Sequence, residues 1–308
     1  MNEIDLLRRI ERRVPRPGRG LVLGMGDDCA IFRPPGSKED LLFTTDMLIE
    51  DVHFRRETHP PEAVGWKTLA RGLSDIAAMG GEPRFCLVSV ALAPWADERW
   101  LERFYRGFLR LARKARAPLA GGDLSHSDRA ACDIVVCGAA PRGKALRRDG
   151  ARPGDHIYVS GRLGGSALGL ETGRGAAWRK HLQPEPRLAL GRFLRSEVGA
   201  TACMDLSDGL SLDLHRLCLA SGCAAEIAGP LPLFPGATLD QAFGGGEDYE
   251  LLFTVRPRTE VPQAFRRIPL TRIGTMRKGR PGRVEFEGHP LPARGYDHFA
   301  ERRTRLQE

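Results

Sequence analysis

The chain has 308 residues, of which 42% are hydrophobic and 28% charged, and its formal net charge is +8. That length can bury one large core or two ordinary ones, and two are expected. No apolar run is long enough to span a bilayer, and the N-terminus mixes acids with bases instead of forming a signal sequence, so the expectation is a cytoplasmic protein with no membrane partner.

Short buried strands are predicted at Leu21–Leu23, Leu41–Thr45, Cys86–Leu92 and Ile134–Cys137, most of them bounded by glycine, proline or aspartate. A helix over Pro61–Met79 starts with proline in its first turn, stops at Gly80-Gly81 and carries Val64, Leu69, Leu73, Ile76 and Ala77 near helical spacing. A second helix over Asp97–Arg116 places Trp100, Leu101, Phe104, Phe108 and Leu111 on one side. The polar, turn-rich stretch from Pro141 to Asp155 divides the chain, so the expected domains are residues 1–141 and 142–308. Beyond it, strand Ile157–Ser160 precedes a glycine turn and a helical Ser166–Leu170, Met204 ends a strand, and Leu210–Ala220 is helical. Further strands are predicted at Tyr249–Val255, Thr271–Ile273 and Val284–Phe286, giving a mixed α/β fold in two lobes.

Seven scattered cysteines form no C-x-x-C pair, which argues for buried thiols over a disulfide framework or zinc site. Arginine clusters within residues 8–19, 142–152 and 266–283 are not interleaved with aromatics, so a solvated basic surface is favoured and no nucleic-acid partner is expected. A non-enzymatic nucleic-acid binder is the rival of a different class, and strongly salt-dependent binding without ATP turnover would reveal it.

Acids and glycines recur together at predicted element ends: Gly26-Asp27-Asp28, Gly121-Gly122-Asp123, Asp205-Leu206-Ser207-Asp208-Gly209 and Gly244-Gly245-Gly246-Glu247-Asp248, with Asp46 and Asp75 besides. Any one of these could be a simple turn. Together they suit magnesium, which takes oxygen ligands and one or two carboxylates per ion, beside backbone N–H groups that bare glycine leaves open to phosphate. Asp205 and Asp208 bracket Ser207 where a helix begins, a plausible seat for a metal triphosphate. Gly161-Arg162-Leu163-Gly164-Gly165-Ser166 lacks the P-loop lysine, and its glycines suit tight packing or phosphate contact equally. Neither the protein-kinase motifs nor a Gly-x-Ser-x-Gly elbow occurs.

The ordered blocks Gly24–Ala30, Thr44–Met47 with Val52–Phe54, Lys67–Gly81, Gly121–Asp123, Met204–Leu210, Gly245–Leu252 and Gly295–Phe299 resemble the thiamine-monophosphate kinase family. The resemblance implies a two-domain architecture of the aminoimidazole-ribonucleotide-synthetase-like kind. It also implies a homodimer through the N-terminal strands, and ATP and magnesium held largely by the N-terminal domain while the C-terminal domain completes the substrate site. The implied activity is direct, magnesium-assisted phosphoryl transfer from ATP to thiamine monophosphate, giving thiamine diphosphate. By motif, Asp28, Thr44, Thr45, Asp46, Asp75, Asp123, Asp205 and Asp208 are implied magnesium ligands. Tyr105, Gly122, Asp123, Arg148 and Ser207 would touch ATP, and His53, Glu247 and Tyr296 the thiamine phosphate, with Asp28, Asp208 and Arg148 central to transfer. The segment around Gly173–His181 is shorter than in some relatives. Selenophosphate synthetase, aminoimidazole ribonucleotide synthetase and the hydrogenase-maturation carbamoyl dehydratase are the nearest alternatives. Cys29, directly after Asp27-Asp28, does not match the reactive cysteine the first would want, and the C-terminal Leu306-Gln307-Glu308 lacks the one expected of the third.

Overall fold

The computed structural model describes residues 3–14 and 18–296, so Asp297, His298 and Phe299 of the last motif lie outside the described residues. In chain order the first half contains α1 (Glu3–Glu11), β1 (Leu21–Leu23), β2 (Ala30–Phe32), β3 (Glu39–Ile49), α2 (Pro61–Ala78), β4 (Glu82–Leu92), α3 (Glu98–Ala115), β5 (Leu119–His126) and β6 (Ala131–Pro141). The second half contains β7 (His156–Ser160), α4 (Gly165–Thr172), α5 (Gly175–Leu182), α6 (Leu188–Phe193), β8 (Ala202–Asp205), α7 (Leu210–Ala220), β9 (Ala224–Ile227), α8 (Leu239–Gly244), β10 (Leu251–Val255), β11 (Ala264–Phe265), β12 (Ile268–Arg277), β13 (Val284–Phe286) and β14 (His289–Pro290).

Two sheets result. The first runs β1-β2-β3-β6-β4-β5 and the second β14-β13-β9-β12-β7-β10-β8, with β11 beside β12. In the first sheet only β4 and β5 pair in parallel, joined by α3 as crossover. Alternation along β3 turns Asp40, Leu42, Thr44 and Leu48 inward, and Leu69, Leu73 and Ile76 of α2 belong to the same core. Along that core α2 and α3 approach very closely. A Cβ on Gly65 would lie 2.0 Å from the Phe104 carbonyl oxygen, and one on Gly107 1.9 Å from that of Glu62, so only glycine permits this crossing.

α2 is the spine of the molecule. Its last residues, Ala77 and Ala78, share a second core with Leu190, Leu194, Phe253 and Leu270, which ties the first lobe to the back of the second sheet. Burial on all sides makes any polar residue of this helix an exception to be accounted for, because burying an unpaired polar group costs about 1–3 kcal/mol.

The sequence places most elements within a few residues. It leaves unpredicted the strands β2, β5, β9, β11 and β14 and the helices α1, α5, α6 and α8. The predicted strand from Tyr249 begins instead at Leu251, because Gly246, Glu247 and Tyr249 all have φ near +50°, which breaks extended pairing.

Candidate active site

Between the two lobes lies a cavity of about 790 Å³. β3 supplies Thr44, Thr45 and Asp46, the loop before β2 supplies Asp27 and Asp28, and α2 supplies Arg71 and Asp75. From the second lobe come Arg148, Asp205, Ser207, Asp208, the glycine turn 244–246, Glu247 and Tyr296, and the ring of His53, which follows β3, lies 6.5 Å from that of Tyr296. Of the sequence-derived candidates, Tyr105, Gly122 and Asp123 do not line this cavity. Tyr105 packs edge-on against Phe104 and Phe108, and Gly122-Asp123 form part of exposed β5 instead of a turn. The glycine at 122 serves strand packing, since a Cβ there would fall 1.8 Å from the Val88 carbonyl oxygen.

The acids meet at one point. Asp28, Asp75 and Asp205 each bring a carboxylate oxygen within 4.8 Å of the other two. Ser74 Oγ donates to Asp205 Oδ2 at 2.6 Å, and Thr44 Oγ1 donates to Asp75 Oδ2. These two hydrogen bonds leave most of the negative charge uncompensated. Burial first, then the neighbouring carboxylates, push the Asp75 and Asp205 carboxyls well above the ordinary range. Burial and the Asp28 charge likewise push Asp27 up to about 7. Asp28 Oδ2 is buried with no hydrogen-bond partner. Oxygen-only donors, crowded and unsatisfied, suit a hard divalent cation.

Three guanidinium groups face the acids. Arg148 pairs with Asp28 and gives its backbone N–H to Asp27 Oδ2 at 3.1 Å, Arg71 reaches Asp46 Oδ1 at 2.6 Å, and Arg216 pairs with Asp208 and, at 3.2 Å, with Asp213. Each arginine pairs with one carboxylate of the predicted metal set, Asp28, Asp46 or Asp208, and Arg71 and Arg148 bring positive charge suited to phosphate oxygens to the cavity wall.

The glycine turn before α4 is occupied from within. The N–H groups of Gly164 and Ser166 donate to the Asp248 carboxylate at 2.5 and 3.2 Å, which settles that turn as internal packing. The turn 245–249 is pinned to the Asp205–Asp208 loop by Glu247 N–H to Ser207 O at 2.7 Å and Tyr249 N–H to Leu206 O at 2.9 Å. A left-handed glutamate is strained, and here the strain aims its side chain into the cavity.

Sequence reading missed Lys67, Arg71, His59, His181 and Arg216. A signal for two of them exists. Lys67, Arg71, Ser74 and Asp75 recur at i, i+4, i+7 and i+8, a polar stripe on an otherwise apolar helix, which marks the face turned to the cavity.

Residues 26–143 match the family described as AIR synthase related protein, N-terminal domain. Over 326 residues the chain is 37% identical to a thiamine-monophosphate kinase of Salmonella typhimurium, covering 97% of this chain and 98% of that one. A thiamine-monophosphate kinase of Bacillus subtilis is 34% identical over 327 residues, 97% of this chain and all of its own. A solved structure described as "AaThiL complexed with AMPPCP and TMP" superposes with a TM-score of 0.85 at 33% identity, covering 97% of each chain.

Proposed function

The chain belongs to the thiamine-monophosphate kinase family, and we propose that it transfers the γ-phosphoryl group of ATP to the phosphate of thiamine monophosphate, releasing thiamine diphosphate and ADP. The observation that carries this reading is the meeting of Asp28, Asp75 and Asp205 on one point of a cavity large enough for both substrates. The likeness to a structure complexed with AMPPCP, an ATP analogue, and TMP supports it along nearly the whole chain.

Magnesium fits the site. Asp28, Asp46, Asp75, Asp205 and Asp208, with Thr44 and Thr45, would hold it. Bound there, the metal would supply positive charge that neutralises polyphosphate oxygens. Assignment of Asp123 and Gly122 to metal or ATP rests on the motif alone, and that of Tyr105 on its spacing within the resemblance.

The remaining chemistry belongs to the chain. The acceptor phosphate loses its second proton near pH ~6, so its nucleophilic oxygen is largely deprotonated at neutral pH and needs no general base. The barrier is the repulsion of two polyanions and the spread charge of a loose transition state. Arg148 exchanges Asp28 for phosphate oxygens and holds donor and acceptor in line, and Ser207 borders the same triphosphate seat. His53, Glu247 and Tyr296 form the wall for the thiamine moiety. His53 Nδ1 accepts the Ile49 N–H at 3.0 Å, so its Nε2 carries the proton. Glu247 offers a negative charge to the cationic thiazolium, and Tyr296 offers a half-exposed ring for stacking.

A homodimer through the first sheet belongs to the same reading. Helices α2 and α3 cover one face of that sheet, and the other presents Leu41, Phe43, Phe85, Leu87, Val135 and Met47, the last 51% exposed. Dependence on ATP puts the proposed reaction in the cytoplasm, and among the described residues no helix is long and apolar enough to cross a membrane.

The test is a substrate panel. Purified protein with ATP and magnesium is expected to phosphorylate thiamine monophosphate and to leave unphosphorylated thiamine untouched. Product from thiamine alone would reassign the acceptor.

A further inference from the structure

Lys67 lies in the middle of α2 with 1% of its surface exposed, among the largest fully buried side chains of the protein. A buried ammonium group is costly unless every neighbour compensates it. Its Nζ donates to Glu247 Oε2 at 2.7 Å and to the His53 carbonyl oxygen at 3.4 Å, so one cation joins two of the three residues assigned above to the thiamine wall, one from each lobe.

A histidine pair lies beside the same carboxylate oxygen. His59 Nδ1 accepts the Arg55 N–H at 3.2 Å, which leaves the His59 proton on Nε2, 3.1 Å from His181 Nε2. His181 must then accept at Nε2 and carry its proton on Nδ1, which lies 2.9 Å from Ser166 Oγ and 3.4 Å from Glu247 Oε2. The tautomers are therefore fixed, with the His181 N–H beside Oε2 and the Lys67 ammonium donating to it. Glu247 lines the cavity, and its Oε1 is buried with no hydrogen-bond partner, Arg71 Nη1 lying 3.9 Å away.

We propose that Lys67 is a positioning residue for the acceptor: by holding Oε2 it fixes the Glu247 carboxylate so that Oε1 meets a cationic or N–H-donating part of the thiamine heterocycles. This rests on the reading of the reaction given above. Lys67 touches neither substrate and acts through Glu247. The short segment after α4 belongs to the same device, because α5 brings His181 to the cluster.

The experiment compares Lys67→Met, Glu247→Gln and the double variant by steady-state kinetics, with thermal unfolding as the check of fold. Lys67→Met is expected to raise KM for thiamine monophosphate tenfold or more and to leave KM for ATP within about twofold. Added to Glu247→Gln it is expected to raise the acceptor KM no further, since the two residues act as one unit. An unchanged acceptor KM in Lys67→Met, or effects that multiply in the double variant, would overturn the proposal. If Lys67→Met does not fold, Lys67→Gln carries the same comparison, and failure of both to fold assigns the residue to the core and overturns the proposal as well. A wild-type protein that makes no thiamine diphosphate would instead overturn the reading of the reaction.

Discussion

Ser74 Oγ donates a 2.6 Å hydrogen bond to Asp205 Oδ2, linking residues 131 positions apart and fastening α2 of the first lobe to the end of β8 in the second. The next residue along α2, Asp75, is thereby held beside Asp205, and Thr44 secures it from β3. The fold itself thus gathers acids from the loop before β2, from α2 and from β8 at one point.

Removing one of those charges is expected to stabilise the metal-free protein. Asp205→Asn keeps an acceptor for Ser74 and relieves a buried carboxyl crowded by Asp28 and its neighbours. Each ~1 kcal/mol gained raises Tm by about 2 °C in a chain of this size. Magnesium at a hundredfold excess over Kd adds about 2.7 kcal/mol to the wild type. Thermal unfolding with and without magnesium checks both: the variant melts higher than the wild type in chelator and gains less from the metal. A lower melting point in chelator would contradict this.

Asp28→Asn and Asp208→Asn are expected to cut turnover by about 10²–10³ with the fold intact, because each removes charge that positions metal and phosphate. Circular dichroism checks the fold and a coupled ADP assay the rate. Near-wild-type rates at saturating magnesium count against the assignment.

Acid should loosen the junction between the lobes through the two buried histidines. Burial, with Lys67 adding to it, pushes His59 down to about 4 and His181 to about 3 from an ordinary 6.5. Between the ordinary and folded values the unfolded chain holds more protons, so this stability is complete above about pH 6.5 and is lost as pH falls towards 4 and 3. The slope approaches ~1.4 kcal/mol per pH unit for each histidine. Unfolding measured from pH 7.5 to 5 in metal-free buffer should show a steeper loss for the wild type than for His181→Asn, and parallel curves would contradict it.

Met47→Glu places a charge on the open face of the first sheet, where 51% of the methionine is exposed. Light scattering should find the wild type dimeric and this variant shifted towards monomer. An unshifted dimer would place the interface elsewhere.

What the sequence reveals of this site follows physical lines. Asp28, Asp205 and Asp208 are legible because acids near glycine at element ends are local patterns, and the ends of these elements do carry them to the cavity. Gly121-Gly122-Asp123 shows the same pattern in another setting: it lies in strand β5 and not in a turn, with Gly122 allowing close pairing with Val88. Lys67 and His181 have meaning only through partners 180 and 122 residues away, Glu247 and His59, and no spacing rule reaches across that distance. The second lobe's short strands are hidden for a related reason, since β9 is four residues long and takes its pairing from β12 and β13.

The γ-phosphoryl passes directly from ATP to thiamine monophosphate in this account, and the converged carboxylates would hold the magnesium that neutralises the phosphates. Phosphorus NMR of protein with ATP and thiamine monophosphate follows the transfer directly, in magnesium and in chelator. The account predicts ADP and thiamine diphosphate in equal amounts with magnesium and neither in chelator. ADP without thiamine diphosphate, or transfer that persists in chelator, would contradict it.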